Sequence, residues 1–348
     1  MEILWYCIVA FMLAMYVILD GFDLGVGIIH RLIGKSETER GLLIRAIGPV
    51  WDGNEVWLLA TGGTMYFAFP KLYASGFSGF YLPLMIVLWL LILRAVGIEF
   101  RHQLHNPLWK SLCDTTFSLA SILLTVILGA ALGNIIRGVP LNDDGYFFAP
   151  LWTTFTVVPE AGVLDWFTVI MGLVSFSTLT AHGSHYIAMK TEGDLQKRAR
   201  TVAHVSWWFI LITSMLGVIG TTSIRPDFWK NYAEYPWGNI FPIMGAVGFT
   251  GMYFFSTKKH DTKAFLASAL FIGSMLGATV FGLFPYLLRS TIDLGDSLTV
   301  YNTIAREYGL RIGLIWWIVG IVLTTTYFIY LYRSFRGKVT PTSDETGY

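Results

Sequence analysis

Long apolar stretches follow one another along the chain, and each is long enough to cross a bilayer as a helix. A hydrocarbon core of about 30 Å requires about 20 mostly apolar residues. Nine segments satisfy this length, although Asp52 and Glu55 interrupt the start of the second. The predicted spans are residues 3–29, 51–69, 73–98, 115–137, 162–189, 202–224, 238–256, 264–288 and 310–333. The pattern therefore predicts an all-α polytopic membrane protein with nine transmembrane helices.

The distribution of basic residues predicts the orientation. With nine helices, the loops after the first, third, fifth and seventh helices lie on the same side as the C-terminus, and this side holds most of the 24 Lys and Arg residues. Basic residues concentrate on the cytoplasmic side of membrane proteins. We therefore expect the N-terminus outside and the C-terminus in the cytoplasm.

The segments on the outer side are too short to form a further domain. The longest are residues 138–161, 225–237 and 289–309, which are rich in Pro, Gly, Asp and Trp. We predict one helical transmembrane domain over residues 1–336, built from two four-helix bundles and one peripheral helix. Residues 337–348 form a polar C-terminal tail.

Composition supports a chain solvated by lipid. Of its 348 residues, 54% are hydrophobic and 14% are charged, and the mean hydropathy is +0.58. A soluble domain is usually about a quarter charged. The formal charge of +1 provides no basic excess for nucleic acid. Two isolated cysteines exclude a disulfide scaffold and cysteine-based metal sites.

Carboxylates at membrane depth are the candidate chemical groups. Asp20 and Asp23 are three residues apart and share one helix face, and Asp52 and Glu55 repeat this spacing. Charges inside a span are costly and are therefore functional candidates. In the predicted topology these residues and Glu99 lie toward the cytoplasmic side, so the cluster is suited to proton uptake.

Structural roles are the alternative for the same carboxylates. Asp23 or Asp52 would then cap a helix or pair with Arg94, and Glu99 would pair with Arg94 or Arg101. The sequence leaves both interpretations open.

Two histidines provide a rival chemistry. His182 and His185 lie at positions i and i+3 of the fifth predicted helix, and such a pair could bind haem or a metal ion. The two ligands of one b-type haem generally come from different helices, and no other histidine lies deep in a predicted span. We therefore expect no haem ligation by either residue and no metal site.

Two segments resemble the signature sequences of subunit II of cytochrome bd-type quinol oxidases. They are residues 20–27, DGFDLGVG, and residues 48–57, GPVWDGNEVW. Further similar stretches are residues 77–81 and 94–101, and residues 133–134 ahead of 138–140. The resemblance covers the whole chain in length and number of spans.

The resemblance implies a heterodimer in the bacterial cytoplasmic membrane with a haem-bearing subunit I. That partner would carry haems b and d and oxidise quinol, while dioxygen is reduced to water with protons taken from the cytoplasm. This chain would be haem-free and not catalytic alone, acting as a scaffold and as part of the proton path through Asp20, Asp23 and Asp52. The resemblance also admits a structural quinone and small single-helix subunits.

Two other classes of function remain as alternatives from sequence. A proton-coupled secondary transporter would use the same carboxylates, and it would contain broken helices in matching halves. A haem-binding anchor subunit would use His182 or His185.

Overall fold

The computed structural model of the chain describes residues 1–340 and is predominantly helical. Two short strands, β1 (Tyr286–Leu288) and β2 (Leu298–Thr299), pair antiparallel near the start of the last helix. The helices are α1 (Glu2–Ile33), α2 (Glu37–Ile47), α3 (Trp51–Ala68), α4 (Pro70–Gly79), α5 (Tyr81–Glu99), α6 (Pro107–Arg137), α7 (Trp166–Lys190), α8 (Gly193–Ile224), α9 (Lys230–Glu234), α10 (Ile240–Thr257), α11 (Asp261–Leu283) and α12 (Glu307–Ser334).

Seven of the described helical segments are long and apolar enough to cross a membrane. They are Glu2–Ile33, Tyr81–His102, Pro107–Arg137, Gly193–Ile224, Pro236–Thr257, Asp261–Leu283 and Glu307–Ser334. The other two predicted spans correspond to α3 and α7. Polar residues lower the mean hydropathy of both helices: α3 begins with Asp52, Asn54 and Glu55, and α7 contains His182 and His185.

The third predicted span, residues 73–98, is not one helix, and this prediction was wrong. The chain forms α4 and α5 with a break at Phe80. Pro83 has no backbone N–H, so it cannot donate to the carbonyl of Gly79 as a helix would require. That carbonyl instead accepts a hydrogen bond of 3.0 Å from the backbone N–H of Ala149, which lies in the long connection between α6 and α7.

Two other helices stop short of the predicted boundary by four or five residues because of local sequence. The fifth predicted span begins at Trp166 rather than at residue 162, since the Asp165 side chain caps the helix by accepting from the N–H groups of Phe167 and Thr168. The eighth ends at Leu283 rather than at residue 288, because Pro285 follows and the chain continues into β1.

Helix α1 lies at the centre of the fold. It packs against α3, α6, α7 and α11, while α7 packs against α8, and α10 packs against α11. The backbones of α1 and α7 approach closely, since a Cβ atom on Gly25 would lie 2.0 Å from the carbonyl oxygen of Leu179. Small residues allow such close contact between helices in lipid.

Helix α12 lies at the edge of the fold. The most apolar stretch of this helix contains no residue that is buried by the rest of the described chain. Beyond it, the backbone N–H of Val339 donates to the carbonyl of Lys190 at 2.8 Å, so residues 337–340 of the predicted tail contact the end of α7. Residues 341–348 of that tail lie outside the described residues.

Candidate functional site

Arg94 connects two carboxylates at the centre of the helices. Its two terminal nitrogens donate to the two Asp20 oxygens at 2.8 and 2.6 Å, and Nη2 also donates to Glu55 Oε2 at 3.0 Å. Arg94 and Asp20 are fully buried, whereas the Glu55 side chain is 23% exposed. The arrangement joins α1, α3 and α5 through one guanidinium group. Fork-shaped contacts of this kind are strong and orient both partners.

Asp23 belongs to a neighbouring hydrogen-bonded group. Asn54 donates through Nδ2 to Asp23 Oδ2 at 2.7 Å and to the carbonyl of Leu19 at 3.2 Å, and it accepts from the Tyr332 hydroxyl at 2.9 Å. Asp23 and Asn54 are fully buried. The second oxygen of Asp23 is buried and has no hydrogen-bond partner among the described residues.

The structure brings only part of the predicted site together. Asp20, Asp23 and Glu55 lie in the two groups described above, and Trp51 donates to Glu99 at 3.2 Å while its ring lies 5.8 Å from the Arg94 guanidinium carbon. Asp52 lies apart from these groups: it is exposed and accepts a hydrogen bond from the N–H of the next residue at 2.7 Å.

The ion pairs proposed as structural alternatives have other members. Arg94 binds Asp20 and Glu55 rather than Asp23 or Asp52, and Arg101, one of the two partners expected for Glu99, binds Asp114 and Glu37. These partners could not be predicted, because residue spacing within one helix does not show which distant helix packs beside it.

Sequence reasoning missed Asn54 and Tyr332 as members of the site. Asn54 had a signal, because an amide between two acidic residues at a helix start is unusual in a membrane span. Tyr332 is 278 residues away, and no local pattern could have revealed it.

A second charged group lies where α1 ends and α6 begins. His30 Nε2 lies 2.7 Å from Asp114 Oδ1, which also accepts from Arg101 Nε at 2.6 Å. Arg40 Nε lies 3.0 Å from the other oxygen of Asp114, and Arg101 reaches Glu37 at 3.1 Å.

The two histidines of α7 are buried among protein groups. His182 Nε2 lies 2.9 Å from the carbonyl oxygen of Ile18, and Nδ1 lies 2.7 Å from the Ser268 hydroxyl. Its ring stacks on Phe265 with centroids 4.8 Å apart, and His185 is 3% exposed. Both nitrogens of His182 are therefore engaged with protein atoms. Among residues 1–340, no three His, Cys, Asp or Glu side chains are placed to hold a metal ion together.

The balance of charge determines what the buried site can do. Of the three buried or half-buried carboxyl groups, those of Asp20 and Glu55 pair with the single guanidinium of Arg94, and that of Asp23 accepts from Asn54 in the neighbouring group. Unpaired charge is costly at membrane depth. Neutrality is reached when the carboxyl groups in excess of the guanidinium carry protons, so the site is suited to hold and exchange protons.

Together these features define a polytopic membrane protein with a buried group of ionisable side chains. Residues 1–335 match the family model of cytochrome bd terminal oxidase subunit II. The chain belongs to this family. It is accordingly a subunit of a multi-subunit bd-type quinol oxidase, an oxidoreductase complex of the bacterial inner membrane.

Curated relatives match along nearly their whole length. A probable cytochrome oxidase subunit 2 from Haemophilus influenzae is 31% identical over 368 residues, covering 97% of this chain and 95% of the relative. The cytochrome bd-I ubiquinol oxidase subunit 2 of Escherichia coli is 28% identical over 370 residues, with 98% and 95% coverage. These matches favour the oxidase subunit over the transporter.

A solved structure shows the same fold. The bd oxidase of Geobacillus thermodenitrificans contains a chain that superposes with a TM-score of 0.77 at 16% identity, covering 96% of this chain and 98% of that chain.

Proposed function

We propose that this chain is the haem-free subunit II of its oxidase, which supports the haem-bearing subunit I and conducts protons from the cytoplasm toward it. In this proposal haems b and d and the quinol-oxidising site belong to the partner, and dioxygen is reduced to water there. The chain is not catalytic alone. Family membership supports the proposal, and the buried group around Arg94 gives this chain its own part in it.

The proposal includes a topology of nine spans with the N-terminus outside and the C-terminus in the cytoplasm. The broken α4–α5 segment then counts as one crossing, and α3 and α7 are spans in spite of their polar residues. One bundle contains α1, α3, α5 and α6, and the other contains α7, α8, α10 and α11, with α12 peripheral. Within the bundles α1 packs with α3 and α6, and α7 packs with α8 and α11, while α1 and α6 also pack against α7 where the two bundles meet.

The single observation that carries the proton role is the pairing of Asp20 and Glu55 with one guanidinium. A proton that binds Glu55 weakens its hydrogen bond to Arg94, and the guanidinium then pairs with Asp20 alone. Release of that proton restores the three-membered arrangement. Glu55 is the partly exposed member of the group, so it is the member best suited to pass protons onward.

Asp52 and Glu99 complete the proposed path on the exposed side of α3 and α5. Both side chains are exposed in this chain by itself. We propose that the partner subunit covers them and receives protons there. A carboxylate on this face would otherwise lie against lipid at a substantial energetic cost.

Substitution of Asp52 tests the path. Asp52→Asn keeps an oxygen that accepts from the N–H of Gly53, so the complex is expected to assemble normally and to lose most oxygen consumption with quinol as donor. Asp194→Asn is the matched control, because Asp194 is an exposed carboxylate on α8 that pairs only with Lys197 among the described residues. Full activity of Asp52→Asn at matched haem content would remove Asp52 from the path.

Purification of the complex tests the assignment of haem to the partner. The native complex is expected to contain a second chain and visible haem absorbance. Haem should stay with the partner when the two chains are separated. Haem that remains with this chain after separation would contradict the proposal.

A further inference from the structure

Polar side chains form a continuous stripe on α6 that faces the carboxylate-bearing side of α1. On α6 the residues are Asp114, Ser118, Ser121 and Thr125, whose spacings of four, three and four residues place them on one helix face. On α1, Asp23, Gly27 and His30 repeat the same spacing. We call these seven residues the α1–α6 seam.

Contacts across the seam show that the two helices run antiparallel. His30 meets Asp114, and the Ser118 hydroxyl donates to the carbonyl of Gly27 at 2.6 Å. A Cβ atom on Gly27 would lie 2.0 Å from the Ser121 hydroxyl oxygen. Each step back along α1 therefore corresponds to a step forward along α6, and this register brings Thr125 to the level of Asp23.

Three buried polar atoms along the seam have no hydrogen-bond partner among residues 1–340. They are Nδ1 of His30, the hydroxyl oxygen of Thr125 and Oδ1 of Asp23, and all three side chains are fully buried. Such atoms are generally satisfied by ordered water when the protein offers no partner. His30 lies at one end of the seam, and Thr125 and Asp23 lie at the other end.

The His30 end of the seam connects to the surface through charged groups. Asp114 binds Arg101, and Arg101 binds Glu37, whose side chain is 47% exposed. Lys110 also contacts Glu37 at 3.3 Å. A buried histidine–carboxylate pair is thereby linked to the end of the fold where α1 ends and α6 begins, which the proposed topology assigns to the cytoplasm.

We propose that water along the α1–α6 seam, together with its hydroxyl groups, conducts protons from the His30–Asp114 pair to Asp23. His30 and Asp23 are seven residues apart, or about 10 Å along the helix, a distance spanned by about three hydrogen-bonded oxygens. This inference rests on the proposed function, since it supplies the group around Arg94 with protons. It adds His30, Ser121 and Thr125 as members of the path.

Helix packing alone explains only part of the seam. Ser118 and Ser121 donate to backbone carbonyls, and serine at such places permits close helix contact. Packing does not account for the unpartnered hydroxyl of Thr125, because valine would fill the same volume without burying a polar group. The two interpretations therefore predict opposite effects of Thr125→Val.

The experiment uses the purified complex with this chain substituted. We expect Thr125→Val and His30→Gln to lower proton uptake and quinol-driven oxygen consumption, per haem, by about tenfold or more, because a positioned proton-transfer group contributes at least that much. Thr326→Val is the matched control: its hydroxyl donates to the carbonyl of Val322 on the exposed side of α12, and its activity should equal that of the wild type.

The outcomes separate this inference from the proposed function. Wild-type rates in Thr125→Val overturn the seam, and if His30→Gln does not assemble, Thr125→Val decides alone. Asp23→Asn tests the residue that belongs both to the seam and to the proposed proton path. If Asp23→Asn is inactive while Thr125→Val is fully active, only the seam is wrong. If Asp23→Asn is fully active, the proposed proton path is wrong as well. A map of the complex without water between α1 and α6 would also overturn the seam.

Discussion

Asp20 and Arg94 form a fork-shaped ion pair in which both carboxylate oxygens accept, at 2.6 and 2.8 Å, and neither side chain is exposed. Removal of one partner from a buried pair costs about 3–5 kcal/mol, whereas replacement of both by apolar residues is often neutral. We therefore expect Asp20→Asn and Arg94→Met each to reduce the amount of assembled complex.

The double variant Asp20→Leu with Arg94→Met should assemble better than either single variant, though not fully because Glu55 also loses Arg94, and it should not recover oxygen consumption. Haem content of isolated membranes and the thermal midpoint of the purified complex measure assembly. If either single variant assembles like the wild type, the ion pair does not stabilise the fold as described.

Asn54 forms hydrogen bonds with three partners at once. Its replacement should therefore destabilise the complex more than the removal of one of these hydrogen bonds. Asn54→Leu leaves Asp23, the Leu19 carbonyl and the Tyr332 hydroxyl without this partner, and an unsatisfied buried group costs about 1–3 kcal/mol. Tyr332→Phe should cost about 1 kcal/mol. The thermal midpoint of the Asn54→Leu complex should therefore be lower than that of the Tyr332→Phe complex. Equal midpoints would contradict the shared role of Asn54.

Contact between α1 and α7 depends on Gly25 and Gly183. A Cβ atom on Gly183 would lie 2.4 Å from the backbone carbon of Gly25, so Gly183→Ala should force the helices apart and reduce assembled complex. Gly62→Ala is the control, since no atom lies within 4 Å of its added Cβ. The yield of haem-containing complex on size exclusion measures both. Similar yields would show that the backbones separate without cost.

His182 is expected to stabilise packing rather than to bind haem. Because both of its ring nitrogens contact protein atoms, His182→Ala should lower the thermal midpoint and leave the haem spectrum per complex unchanged. Loss of one haem signal in His182→Ala would instead favour the haem-binding anchor. His182→Gln, which keeps a donor and an acceptor, should be the milder change.

Arg225 makes the loop that contains Asp227 sensitive to acid. Hydrogen bonds from Arg225, at 2.9 and 2.8 Å, lower the pKa of Asp227 below its ordinary value of 3.8. A lowered pKa in the folded state contributes stability above pH 3.8, and this contribution is lost as the pH falls through the lowered pKa. Asp227→Asn should remove it.

The difference in thermal midpoint between the wild type and Asp227→Asn should therefore be largest near neutral pH and should shrink below pH 3.8. Lys230→Gln serves as a control, since the exposed Lys230 side chain pairs with Glu234 within α9. A difference that does not change with pH would contradict the role given to Asp227.

The sequence by itself determined the class of protein and most helix positions. The apolar length needed to cross a bilayer follows from its thickness, and for this reason helices α3 and α12 lie close to the predicted residues 51–69 and 310–333. Charge at membrane depth marked Asp20, Asp23 and Glu55 as candidates, since a charge inside a span is costly. The break at Phe80 also had a sequence signal, the proline at position 83.

Only the tertiary structure decided which polar groups meet. Arg94 binds Asp20 across 74 residues of chain, and Tyr332 reaches Asn54 across 278. Helical periodicity reports the face on which a side chain lies, but the neighbour on that face depends on how helices pack and in which register. The exposure of Asp52 and the hydrogen bond from Ser118 to the carbonyl of Gly27 follow from that packing, which the sequence pattern of a single helix does not reveal.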